Sequence, residues 1–260
     1  MLKRMMLLTA CAFAAAFALV GCYWSVDASR NYRVSARIHQ SVPASGLQRA
    51  RVTNVSGRIE VRGWSRPDVD VNALVRATDD AALHKITISV ERSGDELVIR
   101  PQYPRSFLGF GSRADGSVDI QIHVPEHLAV SAANVSGDVA VSGVRNDIDA
   151  GSVSGDVEVT DGDGSLDLKT TSGNIDGSVR ALNRSRHLKA ASVSGDISLR
   201  IPKNAGANVS VHSVSGDFSS NLALPKSDAT VGTNISGQIN GGGAPISFST
   251  VSGSMKLTGF

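Results

Sequence analysis

The chain has 260 residues, with 26 Lys+Arg against 24 Asp+Glu, 41% hydrophobic and 5% aromatic residues, 26 Gly and 2 Cys. That balance excludes a nucleic-acid binder working through a basic face, and two cysteines exclude a disulfide framework or a four-thiolate metal cluster. No apolar run of about 18 residues follows position 21, so the bulk is not a polytopic membrane protein, and its core must be built from Val, Ile, Leu and Ala.

In chain order, Lys3 and Arg4 precede the apolar stretch Met5 to Val20. At about 1.5 Å per residue this stretch is too short for a hydrocarbon core of about 30 Å, so residues 1–21 read as an export signal. The stretch ends in Leu19-Val20-Gly21-Cys22, which resembles the lipobox of bacterial lipoproteins. The resemblance implies cleavage before Cys22, a diacylglycerol on its thiol and a further acyl chain on the new amino group, so that the lipid on Cys22 ties the protein to a membrane. Tyr23 stands where an Asp would retain such a protein in the inner membrane, which by the same resemblance implies the outer membrane. Cys11 belongs to the removed segment. Removing residues 1–21 takes away Lys3, Arg4 and no acid, leaving 24 basic against 24 acidic residues. Residues 22–45, polar with Ser, Arg and a Pro, read as a tether. From Asp27 to Arg66 there are eight Arg against Asp27 and Glu60, a basic balance suited to anionic headgroups.

Residues 46–132 form an all-β region. Val69 to Val75, Ile86 to Val90, Leu97 to Ile99 and Val118 to Val124 read as strands, and the region is either a separate sandwich-like cap or a run of enlarged coils. The Gly-rich stretch 101–116 concentrates Tyr103, Phe107, Leu108 and Phe110 and is the candidate interaction loop, or else the cover of an open sheet edge. His123-Val124-Pro125-Glu126-His127 resembles a metal motif in composition only. On an extended chain the two imidazoles stand about 13 Å apart, which argues for strand-end residues.

Residues 133–260 repeat. Val55-Ser56-Gly57-Arg58 recurs as Val135-Ser136-Gly137-Asp138, Val153-Ser154-Gly155-Asp156, Thr171-Ser172-Gly173-Asn174, Val193-Ser194-Gly195-Asp196, Val214-Ser215-Gly216-Asp217, Ile235-Ser236-Gly237-Gln238 and Val251-Ser252-Gly253-Ser254. From Ser136 onward the serines are 18, 18, 22, 21, 21 and 16 residues apart. Apolar-x-apolar alternation flanks each motif, as in Leu188-Lys189-Ala190 and Ile197-Ser198-Leu199, but its parity switches across the motif. Each motif is therefore a corner between two strands, with Gly supplying the backbone state that a Cβ obstructs. One corner type repeated along the chain favours a β-solenoid, single-stranded and β-helix-like, over a meander, and seven corners would give a rod of about 30 Å.

The run from Asn54 to Trp64, the Val124-Pro125 strand end and the Val-Ser-Gly-Asp coils resemble the DUF4097 β-strand-repeat family of bacterial envelope proteins, labelled adhesins. The resemblance covers residues 46–260 and implies a non-enzymatic binding or scaffolding module for an envelope protein or glycan; it carries no catalytic residues and no cofactor. Two other readings stay open. Asp138, Asp156, Asp196 and Asp217 could line up carboxylates for calcium in a polysaccharide-binding or polysaccharide-cleaving β-helix, or solenoid ends could stack into a structural polymer. Against the first, Arg58, Asn174, Gln238 and Ser254 occupy the same slot without ligand charge, and Asp beside a corner glycine is most often a turn cap. No Gly-x-Ser-x-Gly elbow and no phosphate-binding glycine loop occurs, and no catalytic or metal residue is assigned.

Overall fold

Alternating apolar residues become strands along almost the whole of the computed structural model, which describes residues 32–103, 116–224 and 233–260. In chain order these are β1 (Val34–Pro43), β2 (Arg49–Ser56), β3 (Ile59–Trp64), β4 (Asp68–Ala77), a single helical turn α1 (Asp80–Leu83), β5 (Thr87–Ser93), β6 (Glu96–Gln102), β7 (Gly116–Pro125), β8 (Ala129–Ser136), β9 (Val139–Ser142) and β10 (Ile148–Ser154). There follow β11 (Val157–Gly162), β12 (Leu166–Ser172), β13 (Ile175–Val179), β14 (Leu188–Ser194), β15 (Ile197–Ile201), β16 (Ala207–Ser215), β17 (Phe218–Ser220), β18 (Thr233–Ile239), β19 (Ala244–Ser252) and β20 (Met255–Gly259). The chain is all-β.

A coil is one strand, a corner, a second strand and a return. The pairs β2–β3, β8–β9, β10–β11, β12–β13, β14–β15, β16–β17 and β19–β20 are such coils, and stacking them builds two ten-stranded sheets. One runs β1-β4-β7-β3-β9-β11-β13-β15-β20-β17, the other β18-β16-β19-β14-β12-β10-β8-β2-β6-β5. Stacked coils pair in parallel, Val157 beside Val139 and Ile175, whereas β1, β4, β5 and β18 pair antiparallel at the two ends.

The core lies between the sheets and is one continuous cluster. Register turns it into columns: Ile59, Val139, Val157, Ile175, Ile197 and Met255 follow one another just after the corners, all nearly inaccessible. Stacked neighbours stand about 4.8 Å apart, so bulky groups need small ones beside them. Phe248, the largest fully buried side chain, sits between Ala190 and Val211, and Gly177 leaves the space that Leu199 and Leu168 occupy.

The sequence expectations change in three places. Residues 34–43, expected within the tether, are an edge strand: Val34, Ala36, Ile38 and Val42 alternate inward and pair antiparallel with β4. The alternation was present, but its inward residues are only half buried, so the apolar signal was weak. Ile235-Ser236-Gly237-Gln238 is not a corner; it lies inside β18, with Gly237 opposite Val209. The last coil is also out of sequence order. The strand β19 enters between β14 and β16, so the Val251 corner precedes the Val214 corner along the stack. Antiparallel β18 reverses the chain direction and allows that return. The stretch 46–132 shares both sheets with 133–260: β2 and β3 stack directly on β8 and β9.

Candidate interaction face

The corner is a hydrogen-bonded ladder. Gly155 N donates to Ser172 O at 3.0 Å and Val157 N to Asn174 O at 2.9 Å, and the same pair of bonds recurs from coil to coil. Gly155 has φ 152° and Gly195 φ 140°, and a Cβ on either would strike the carbonyl of the stacked glycine before it. Both restrictions select glycine. Just before the corner a polar side chain points inward: Asn134 Nδ2 donates to Gly57 O at 2.6 Å, Ser152 Oγ to Gly137 O at 2.9 Å and Thr170 Oγ1 to Gly155 O at 3.1 Å. Sequence reasoning missed this inward polar row. Its signal was present as an Asn, Ser or Thr ahead of every corner, from Asn54 to Thr250.

Because that residue faces in, strand alternation turns the next one out. Along the stack the outward rungs are Val55, Val135, Val153, Thr171, Val193, Val251 and Val214. The six valines are 45–57% exposed, and besides Phe260 they are the exposed large hydrophobic residues among those described. Two residues earlier on the same outer face stand Ala133, Gly151 and Ala191, which leave the strip flat beside three rungs, whereas Thr53, Lys169, Ser249 and His212 flank the others. Strand propensity accounts for a β-branched residue at each rung, and neighbouring valines shield one another. Two runs of three exposed valines, joined through Thr171, remain in water, a feature of the kind found at interaction sites.

A second feature lies on the outer face of the other sheet, near β1. Asp70 contacts His39 Nε2, accepts from Asn72 Nδ2 at 2.9 Å, and stands 3.9 Å from His123 Nδ1. The His123 ring stacks on Trp64 at 5.0 Å, and the Arg66 guanidinium lies 4.9 Å from the Trp64 ring. His123 thus belongs to a cluster that fastens the edge strand, whereas Glu126 pairs with Arg145 at 3.0 Å and His127 is exposed in the turn. Among the described residues no group of three His, Cys, Asp or Glu side chains is placed to hold a metal ion.

The aspartates beside the corners act as caps. Asp138 Oδ1 accepts from Asp156 N at 3.1 Å, Asp156 Oδ1 from Asn174 N at 2.7 Å and Asp196 Oδ1 from Ser254 N at 2.7 Å. Asn174 Oδ1 does the same for Asp196 N at 3.0 Å, so the slot needs an acceptor oxygen and not a charge. Tyr103 is half buried against the core, its hydroxyl donating to Asn54 Oδ1 at 3.2 Å beside the first rung. Burial pushes its pKa up to about 12. The remaining predicted positions, Leu19, Val20, Gly21, Cys22, Phe107, Leu108 and Phe110, lie outside the described residues.

Two long sheets, stacked glycine corners and a periodic outer face define a coil-stacking β-repeat protein. The chain belongs to the Toastrack DUF4097 family, whose model matches residues 37–258. Similar solved structures include a putative cell adhesion protein from Clostridium sporogenes, 12% identical with a TM-score of 0.51, covering 87% of this chain and 100% of that one. A putative adhesin from Bacteroides fragilis is 13% identical with a TM-score of 0.42, covering 85% of this chain and 97% of its own. At such identities the first likeness bears on the fold alone. No curated protein matches the chain.

Proposed function

We propose that this protein is a non-enzymatic module of the bacterial envelope, carried by an acylated Cys22 at the outer membrane, whose rigid two-sheet body binds or scaffolds a partner through the valine ladder. The observation that carries the reading is the ladder itself: exposed valines on six of seven stacked coils at the strand spacing, which with Phe260 are the exposed large hydrophobic residues among those described. The five inner rungs lie on strands paired on both sides, so the face is organised before a partner arrives and little ordering entropy opposes binding. The family membership and the structures described as adhesins are consistent with a binding role.

Anchoring is tested with the full chain in cells fed a labelled fatty acid. The wild type is expected to take up label and sediment with outer membranes, and Cys22→Ser to lose label and become soluble. Membrane-bound Cys22→Ser of unchanged mass would overturn the lipid anchor. Two or three acyl chains, at about 0.8 kcal/mol per buried methylene, would make attachment effectively permanent.

A further inference from the structure

We propose that the valine ladder packs against the ladder of a second copy of this chain, antiparallel, around a two-fold axis at the Thr171 rung. This deepens the binding reading above and rests on the ladder being its working surface; it does not need the lipid anchor.

The first argument is period. The rungs repeat at the strand spacing of about 4.8 Å, set by backbone hydrogen bonds and therefore stiff. A partner must match that spacing over the whole strip or leave part of it in water, and an identical ladder matches it by construction. Of the seven rungs Thr171 is the fourth, so reversing one copy about it brings Val55 opposite Val214 and Val135 opposite Val251. Ala133, Gly151 and Ala191 keep the flank low beside the second, third and fifth rungs, while Lys169 stands beside the fourth and His212 beside the seventh.

The second argument is charge. On the outer face beside the ladder, Asp149 stands at the third rung, Asp167 and Lys169 at the fourth and Lys189 at the fifth. The reversal places Asp149 opposite Lys189 of the second copy on either side of the axis; at the axis itself Lys169 meets Lys169 and Asp167 meets Asp167, with each Lys169 flanked diagonally by the second copy's Asp149 and Asp167. Among the described residues Asp149 and Lys169 make no ion pair within their own chain, whereas Asp167 contacts His187 Nε2 at 2.8 Å and Lys189 Nζ at 3.9 Å. A parallel arrangement lacks this alternation of sign. Charge of this kind sets register more than it adds affinity.

The third argument is area. A strip about 30 Å long and about 15 Å wide covers on the order of 450 Å² per copy, below the roughly 800 Å² of a standard stable interface. The association is therefore weak and reversible, and confinement of both copies to one surface would favour it through effective concentration.

The test is cysteine trapping of the full chain in whole cells without fractionation, so that anchored and unanchored chains are both sampled, with mild oxidation and non-reducing electrophoresis, and the wild type as the control for Cys22. Thr171→Cys is expected to give a covalent dimer and Lys256→Cys, on the outer face of the other sheet, not to. Val55→Cys and Val214→Cys are expected to stay monomeric alone and to cross-link when expressed together. Adding Val135→Lys and Val193→Lys to Thr171→Cys is expected to cut the dimer at least about ten-fold, since lysine is costly against valine. No Thr171→Cys dimer, or equal dimers from every single-cysteine variant, overturns the proposal. Adducts of another mass also overturn it and would leave the ladder as the face for a different partner, whereas a failed anchor shows only in the Cys22→Ser experiment.

Discussion

Asp156 Oδ1 accepts a hydrogen bond from Asn174 N at 2.7 Å, across the step from one coil to the next. The contact joins the repeated aspartates of the sequence to the stacking of the coils. At four consecutive corners an acceptor oxygen, from Asp138, Asp156, Asn174 or Asp196, ties down the first amide after the next glycine, in the way an Asx residue caps a turn.

Replacing Asp156 with Ala should therefore lower stability by about 1 kcal/mol, the typical net worth of one hydrogen bond at a solvent-accessible position. Asp156→Asn should change it little, because Asn174 already performs this task with an amide oxygen. Urea midpoints at constant slope would measure both, and equal losses in the two variants would contradict the cap.

Asp176 has a pKa raised above the ordinary carboxylate range, first by burial and then by the Glu158 and Asp156 carboxylates, partly offset by a hydrogen bond from Ser198. The folded state thus prefers the protonated acid. Its favourable contribution is complete below the unfolded-state pKa and is lost as pH rises through the raised folded-state value. Asp176→Asn should flatten stability against pH over that window and leave the protein more stable at neutral pH. Thermal melts across the acid range would show the same slope for wild type and Asp176→Asn if the Asp176 carboxyl were not held above its ordinary range.

Gly195→Ala should be among the most destabilising substitutions of a solvent-facing turn. It combines φ 140° with a Cβ driven onto the Gly173 carbonyl, so a loss of about 2–4 kcal/mol is expected. Gly94 has φ 64° with nothing within 4 Å of a Cβ, and its alanine variant should lose only about 1 kcal/mol. Calorimetric unfolding of the pair separates close approach from backbone conformation.

Tyr103, held neutral by burial with a pKa pushed up to about 12, should ionise well above the usual value of 10.0 in a spectrophotometric titration. Since the folded-state pKa is the higher one, folding stability should fall as pH rises from 10 through about 12. Tyr103→Phe should abolish that alkaline decline while costing about 1 kcal/mol at neutral pH for the lost bond to Asn54.

Much of the fold was legible because β structure writes a period of two and the corner writes a glycine at fixed intervals. Leu188-Lys189-Ala190 and Ile197-Ser198-Leu199 announced inward columns, and the parity switch at Ser194-Gly195 announced the bend between them. The strand β1 was missed because its inward side chains are half buried at an edge, where burial exerts weak selection for apolar residues. Ile235-Ser236-Gly237-Gln238 carried the motif without the corner, because pairing with β16 offered its backbone a complete antiparallel ladder instead. The cluster of Trp64, His123, Asp70 and His39 joins residues up to 84 positions apart in the chain, and no local pattern could have assembled it.

What the sequence determined by itself was the unit: two short strands, a glycine corner and an acceptor oxygen to cap it. Those choices are local, set by backbone sterics and side-chain alternation within about twenty residues, so the residues carry them openly. The tertiary structure alone decided the order of stacking, with β19 between β14 and β16, and hence which side chains share a face. Any coil with this corner can stack on any other, so their order depends on which columns fill best, as Phe248 does between Ala190 and Val211. The ladder of valines is the product of both levels: a local parity rule turns each one outward, and only the stacking makes them a surface.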